Sequence, residues 1–350
     1  MSRVVVTGGA GFVGANLVSR LVEDGEDVVV LDSLARAGVE RNLRWLKAVH
    51  GERVRFERSD VRDREVVRRA LRRADAVFHL AAQVAVTTSL DDPVDDFRAN
   101  VEGTINVLEE ARRLDEPPFV LFTSTNKVYG SLADLELRRR DDRWEPADRA
   151  IAEHGLSESR PLDFCTPYGC SKGAADQYVL DYAKSYGLPT VVFRMSCIYG
   201  PHQHGNEDQG WVAHFAICAL DEEPITLYGD GAQVRDLLFV DDLVEAMQLA
   251  RANADAVAGT PFNMGGGPDN AISLLEVLEQ LAELHGRMPA VRFAAERKGD
   301  QRYYVADTRR FRAATGWRPR VDVGDGVERL YRWLAQERAA ARPPLRAVAR

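Results

Sequence analysis

Apolar positions along the chain fall into short runs separated by amphipathic stretches. Val4–Val6, Val28–Leu31, Val54–Glu57, Ala76–Leu80, Phe119–Phe122 and Thr190–Arg194 are compact and rich in β-branched or aromatic residues. Most show no alternation, the pattern of strands buried on both faces. Between them, Ala15–Leu21, the stretch from Asn100 through Val101, Thr104, Val107 and Leu108, and the stretch holding Ala174, Ala175, Tyr178, Tyr182 and Ala183 have helical spacing. Strands alternating with helices predict an α/β fold with a doubly wound parallel sheet. Beyond Gly200 the alternation loosens. Trp211–Leu220 reads as a helix, Ile225–Gly231 leads into Gln233–Val240, and Ser273 with Glu276 forms a capping box before an apolar helical run. The expected division is residues 1–194, then a smaller α/β lobe over 195–336, with strands or helices of 236–260 free to return to the first unit. Residues 337–350, with Pro343-Pro344, read as a frayed tail.

The first apolar run is followed by Thr7-Gly8-Gly9-Ala10-Gly11-Phe12-Val13-Gly14, then by the helical stretch and a second strand that ends in Asp32. Strand, glycine turn, helix, strand and terminal acid together are the dinucleotide-binding arrangement of a Rossmann fold. Gly8 permits the tight turn, Gly11 lets a pyrophosphate approach the backbone, and Gly14 lets the helix lie close on the strand. Phe12 and Val13 open the helix, whose free N–H groups favour an anion. Asp32 would accept from the ribose hydroxyls and repel a 2′-phosphate, so the expected cofactor is NAD.

Further strand ends supply further candidates. Asp60 and Val61 follow the third strand and could meet the adenine, one by hydrogen bond and one by packing. Asp60 or Asp63 could instead cap the next helix. The fourth strand ends in Leu80, Ala81, Ala82 and Gln83, and its small residues would let a cofactor pass close. His79 lies within that strand and reads as a packed core residue. Asn100 could tie strand ends together or cap its helix. The fifth strand delivers Thr123, Ser124 and Thr125 to the crevice at the sheet's C-terminal edge, where ligands bind in open α/β sheets. The charged segment from Leu132 to Asp163 reads as irregular, either a solvated lid or a weak contributor to phosphate binding.

Tyr168 and Lys172 stand four residues apart on a stretch that Pro167 opens. On a helix both lie on one face, one turn apart. A phenol beside a fixed ammonium is an acid–base device, and the lysine charge is expected to pull the tyrosine below its usual value. Thr125 can offer a hydroxyl to the same substrate oxygen.

These residues resemble a known family. The glycine turn, His79-Leu80-Ala81-Ala82, Thr125 and Tyr168-x-x-x-Lys172 are similar to extended short-chain dehydrogenases/reductases that act on nucleotide sugars, over about residues 1–336. The resemblance implies that Thr125, Tyr168 and Lys172 are catalytic, with Tyr168 the acid/base, and that Asp32 selects NAD. The strings 124–130, 167–178 and 208–211 are most similar to members that invert C2 of a CDP-linked sugar. Asn126-Lys127 stand where the family's dehydratases carry Asp-Glu and its decarboxylases a glutamate, which favours an epimerase. Inversion at C4 is the nearest rival. A net NAD-dependent reductase and a non-catalytic dinucleotide sensor are the other classes. Asn126, Lys127, Gln209, Trp211, Arg235 and Arg302 are candidates for holding the nucleotide-diphosphate sugar. Guanidinium suits phosphate, and a surface ion pair is the lesser alternative for either arginine. The resemblance further implies a homodimer through the helices around Val101–Ala111 and Tyr168.

Composition narrows the field little further. The chain of 350 residues is 45% hydrophobic and 29% charged, with net charge −8, which argues against a nucleic-acid surface. Cys165, Cys170, Cys197 and Cys218 lack metal-ligand spacing, and no metal site is expected. With no leader pattern and no long apolar run, a cytoplasmic enzyme with reduced thiols and no membrane segment is expected.

Overall fold

The computed structural model describes residues 2–341. Seven strands form one parallel sheet in the spatial order Thr260–Met264, Thr190–Met195, Phe119–Thr125, Ala76–His79, Arg3–Thr7, Asp27–Asp32, Val54–Arg58. Successive side chains point to opposite faces, and each face is covered. Val4, Val6, Val28, Val30, Phe78, Leu121 and Phe193 pack beneath helix Phe12–Glu23 and helix Val240–Ala252. Val5, Val29, Val77, Val120, Phe122 and Val192 pack beneath helices Arg64–Ala70, Gly103–Ala111 and Thr166–Tyr186. The strand order reverses between Arg3–Thr7 and Ala76–His79, and a crevice opens there at the C-terminal edge.

The six strands expected from apolar runs are all present, and a seventh joins them from Thr260–Met264. Pro261 at the sheet edge disguised it, since an edge strand tolerates a residue without an N–H. The helix Val240–Ala252 likewise packs on the first unit's core, so the chain crosses between the two units more than once.

The second lobe has its own core around Tyr199, Phe215, Leu227, Leu237, Leu278 and Leu330. Strand Val234–Phe239 is its spine. It pairs with Cys197–Tyr199 and Tyr303–Tyr304 in parallel and with Ala271–Ser273 antiparallel. Both halves of the Ser273–Glu276 capping box are formed.

Two expectations need correction. The segment 132–163 is not irregular: it holds the antiparallel hairpin Leu137–Arg140 with Arg143–Pro146 and the helix Arg149–His154. Trp144 N–H donates to Ala232 O at 3.0 Å and Leu156 N–H to Val305 O at 2.7 Å, which fasten it to the lobe. Its partners are distant in sequence, so no local pattern announced them. The tail expected from 337 onward begins as helix, because Val323–Ala341 runs through it and Arg338 pairs with Asp221 at 2.6 Å. Residues 342–350 of that expected tail lie outside the described residues.

One buried ion pair joins the Thr166–Tyr186 helix to the sheet. Arg194 Nε and Nη2 donate to the two oxygens of Asp176, each at 2.9 Å, and Nη1 donates to Tyr129 Oη at 3.1 Å. Removing one partner of such a pair strands a charge in the core. Asp176→Asn is expected to lower the unfolding free energy by about 3–5 kcal/mol, read as a lower midpoint in urea titration with an unchanged slope.

Candidate active site

The crevice is built from the glycine turn, the strand ends beside it and the helix Thr166–Tyr186. Gly8 has φ +68°, and a Cβ there would lie 2.7 Å from Ala81 N, so no side chain fits. Gly14 is against the turn itself: a Cβ would sit 2.3 Å from Gly8 O, so its role is to let the helix close on Gly8-Gly9 rather than on the strand. A Cβ on Gly11 would meet only Gly8 O, at 3.1 Å, which leaves its outer side open. Helix Phe12–Glu23, with Phe12 and Val13 in its first turn, begins at Gly11 with no side-chain cap and no acid in that turn. Its first N–H groups are thus open to a phosphate.

Asp32 closes the far side. Its Oδ2 accepts from Ala10 N–H at 3.0 Å and its Oδ1 from Leu34 N–H at 2.8 Å. Burial raises the Asp32 carboxyl, and the amides of Leu34, Ala10 and Gly11 offset part of that rise. Asp60 does not cap a helix. Its oxygens hold Arg62, whose Nη2 donates to Oδ2 at 2.8 Å, while Asp63 accepts from Glu65 and Val66 N–H and caps helix Arg64–Ala70. Val61 is buried in the second core face against Gly103. Leu80 N–H donates to Thr7 O at 3.1 Å and Ala81 N–H to the Thr7 hydroxyl at 3.3 Å, which lays Leu80, Ala81 and Ala82 along the turn. His79 is a core residue, held between the hydroxyls of Thr7 at 2.7 Å and Thr104 at 3.0 Å, and burial lowers it to about 3.

Asn100 sits in a π-turn, Arg98–Glu102, rather than at a helix start. Its Oδ1 accepts from Gln83 N–H at 2.9 Å and its Nδ2 donates to Ser171 Oγ at 2.9 Å, so it ties the fourth strand's exit to the tyrosine helix.

Tyr168 is 8% exposed and Lys172 2%. The Thr125 hydroxyl donates to Asn126 Oδ1 at 3.3 Å and accepts from Lys127 N–H at 3.2 Å at the strand end beside the phenol. Lys172 Nζ lies 4.1 Å from the centre of the Phe122 ring. Among the described residues no acceptor lies within hydrogen-bond distance of that Nζ. Burial pushes the Tyr168 phenol up to about 12; Thr125 opposes the rise and Asp96 adds to it. The expectation that Lys172 draws the phenol down is not met: desolvation dominates the phenol, and it lowers Lys172 itself to about 7. Pro167 opens the helix as expected, but Thr166 before it has φ +68°, a strained conformation for a β-branched residue.

Gly200 onward supplies the opposite wall. Asn126 Nδ2 donates to Gln301 Oε1 at 3.2 Å, and Gln301 Nε2 donates to Gly130 O at 2.7 Å. Lys127 Nζ donates to Gly299 O at 3.1 Å and to Asp300 Oδ1 at 3.4 Å; Arg235 Nη2 donates to the same oxygen at 2.8 Å. Burial lowers Lys127, with Asp300 opposing. Gln209 Nε2 donates across the crevice to Val84 O at 2.9 Å, and Trp211 Nε1 donates to Cys197 Sγ at 3.3 Å. Arg302 is not in this group. Its side chain is 55% exposed, pairs with Glu296 at 3.5 Å and lies over the Trp144 ring, so it is the surface ion pair. Asp300, Gln301, Ser171 and Asp96 were not foreseen; the run Gly299-Asp300-Gln301 carries no periodicity, and its charge alone did not distinguish it from a surface loop. The Ser124 hydroxyl, buried at the strand's end, has no hydrogen-bond partner among the described residues. That orphan, the open side of Gly11 and the unpaired ammonium fit a polar, phosphorylated dinucleotide. Among the described residues no cluster suits a metal ion and no helix is long and apolar enough to cross a membrane.

Known proteins are similar to this chain along most of its length. The model of the NAD dependent epimerase/dehydratase family matches residues 4–265. CDP-paratose 2-epimerase of Salmonella typhi is 41% identical over 95% of this chain and 99% of its own. dTDP-glucose 4,6-dehydratase of Streptomyces griseus is 36% identical over 97% and 95%. The crystal structure of UDP-glucose 4-epimerase from Thermus thermophilus, a complex with NAD, superposes with TM-score 0.80 at 35% identity, covering 95% of this chain and 98% of that one.

A buried ammonium costs the unbound fold stability. Lys172 is lowered in the folded state, so below pH ~7 both folded and unfolded chains carry its proton and the full burial cost applies. Between pH ~7 and ~10 only the unfolded chain keeps the proton, and stability rises with pH. Lys172→Met is expected to gain ~3 kcal/mol at pH 6 and distinctly less at pH 9, measured by urea unfolding at the two pH values.

Proposed function

The chain belongs to the NAD dependent epimerase/dehydratase family, and on that premise we propose that it is an NAD-dependent epimerase of nucleotide-diphosphate sugars that works as a CDP-paratose (CDP-tyvelose) 2-epimerase. The observation that carries the reading is the buried Tyr168–Lys172 pair, one helical turn apart, with Thr125 buried at the end of the fifth strand, in a chain 41% identical to a CDP-paratose 2-epimerase. The glycine turn with Phe12, Val13 and Asp32, the strand ends Asp60–Val61 and Leu80–Gln83, and Asn100 form the cofactor's cradle. NAD held there would supply the hydride acceptor and donor that epimerisation needs.

Tyr168 Oη removes the proton from the sugar hydroxyl and later restores it. Lys172, one turn on, stabilises the phenolate once the crevice is closed over and holds the nicotinamide ribose. Thr125 hydrogen-bonds the oxygen on which charge develops. Between the two hydride steps the keto-sugar turns its other face, and the returned hydride inverts the centre. Arg235 and Lys127 share one carboxylate oxygen, Asp300 Oδ1, which leaves one positive charge in excess for the diphosphate. Gln209 and Trp211 line the sugar and base end. Arg302 takes no part in this reading.

Elimination of water is disfavoured by what stands at Asn126-Lys127. Neither is an acid, and both side chains are engaged by Gln301, Gly299 and Asp300. Inversion at C4 is the second reading, favoured by the Thermus thermophilus neighbour. A homodimer is part of the proposal. Val94 and Phe97 on helix Pro93–Phe97, with Tyr178 and Tyr186 on helix Thr166–Tyr186, are large exposed apolar side chains on neighbouring helices. The enzyme is placed in the cytoplasm, where thiols such as Cys170 stay reduced.

Incubation with a panel of CDP-, UDP- and dTDP-sugars, read by NMR, is expected to show C2 inversion of a CDP-sugar with no steady NADH production; inversion at C4 only would overturn the C2 reading. Tyr168→Phe is expected to lower turnover ~10³-fold while the purified protein keeps its bound NAD(H), measured by absorbance after release. Phe97→Asp with Tyr178→Asp is expected to convert a dimer into a monomer in analytical ultracentrifugation.

A further inference from the structure

Two carboxylates bear on Lys172 from different elements. Asp176 lies one turn further along the same helix, but Arg194 holds both its oxygens at 2.9 Å, so its charge is matched. Asp96 comes from the short helix Pro93–Phe97 and is 1% exposed. Its Oδ1 accepts from Asn100 Nδ2 at 3.2 Å. Its Oδ2 has no hydrogen-bond partner among the described residues.

Asn100 Nδ2 also donates to Ser171 Oγ, and the Ser171 hydroxyl donates to the carbonyl of Tyr168 at 3.2 Å. One asparagine therefore ties the Asp96 carboxylate to the turn that presents Tyr168 and Lys172. A buried carboxylate oxygen with no donor is costly and rare. Burial raises the Asp96 carboxyl, while Ser171 and the Lys172 charge oppose the rise. The remaining charged groups around it are accounted for. Asp95, on the same short helix, pairs with Arg62. His79, on the strand behind Lys172, is neutral between two threonines.

We propose that Asp96 is a positioning residue of the reaction: its carboxylate, held by Asn100 against the turn of Tyr168 and Lys172 with one oxygen free, is the counter-charge of the buried Lys172 ammonium. The proposal rests on the epimerase reading for its kinetic arm only. Asp96 raises both Lys172 and Tyr168. Removing its charge while keeping its shape must therefore move both titrations the same way, to lower pH. The titrations of the phenol and of the lysine therefore move in the same direction.

Asp96→Asn tests this, since an asparagine oxygen can still accept from Asn100. The chain has five lysines, Lys47, Lys127, Lys172, Lys184 and Lys298. Lysine labelled with ¹³C at Cε, with Lys172→Arg to identify its signal, reports the Lys172 midpoint directly and without substrate. The expected result is a midpoint lower by about one pH unit in Asp96→Asn, restored in Asp96→Glu, with the epimerisation pH profile displaced to lower pH. An unmoved midpoint, with only the height of the profile reduced, would mean that Asp96 merely packs the helix and would overturn the proposal. If Asp96→Asn is recovered unfolded, Asp96→Ser gives the same two readings. If the wild-type chain inverts no nucleotide sugar, the function reading falls, while the lysine titration still decides the role of Asp96.

Discussion

Placing an ammonium in the core is the constraint around which the rest of the site is arranged. Helix Thr166–Tyr186 lies flat on the sheet, so the face that packs is also the face that carries Tyr168 and Lys172. Close approach requires small residues. A Cβ on Gly169 would sit 3.3 Å from Lys127 O in the turn after the fifth strand, and Gly173 leaves room for the Phe164 ring, which a Cβ would strike at 2.3 Å. Once the helix is that close, the lysine has no route to water. The fold answers with an aromatic face beneath the charge, a carboxylate one turn away and another on the neighbouring helix. None of these is a tight salt bridge. The ammonium stays short of partners, and a ligand can still supply them.

The same economy appears where the two lobes meet. Lys127 and Arg235 share a single oxygen of Asp300, and the Gly299–Gln301 loop is tied to Asn126 and Gly130. Thr125 ends the strand Phe119–Thr125, and Asn126 and Lys127 follow it in the turn Asn126–Tyr129. The contacts that seat the second lobe therefore also set the hydroxyl opposite the phenol. Gln209, reaching Val84, closes the span from the other side. Substrate-facing and cofactor-facing walls are joined by side chains far apart in the chain, which is how a cleft between lobes keeps one geometry.

Much of this was legible in the residues. A glycine turn between a strand and a helix reads locally, because each glycine is required by an approach within a few residues of itself or by one neighbouring strand, as Gly8 against Ala81 shows. Tyr168 and Lys172 read as a pair because helical spacing alone puts them on one face. The sheet's first six strands and the capping box at Ser273 read for the same reason. Asp60 and Asp63 were separable only in part; the cap went to Asp63, whose oxygen reaches the next two N–H groups.

What the chain determined by itself, then, is whatever depends on short-range geometry: the dinucleotide turn, the acid at the end of the second strand, and a phenol and an amine one turn apart. The tertiary structure alone decided which charges keep company. It turned Arg235 inward to Asp300 and left Arg302 at the surface, matched Asp176 with Arg194, left Asp96 unmatched, and raised the phenol that spacing alone would have lowered. The reason is physical. Burial and the distance to a partner charge are set by how elements far apart in sequence pack, and in a low-dielectric interior those two quantities outweigh anything that a neighbour in the chain can contribute.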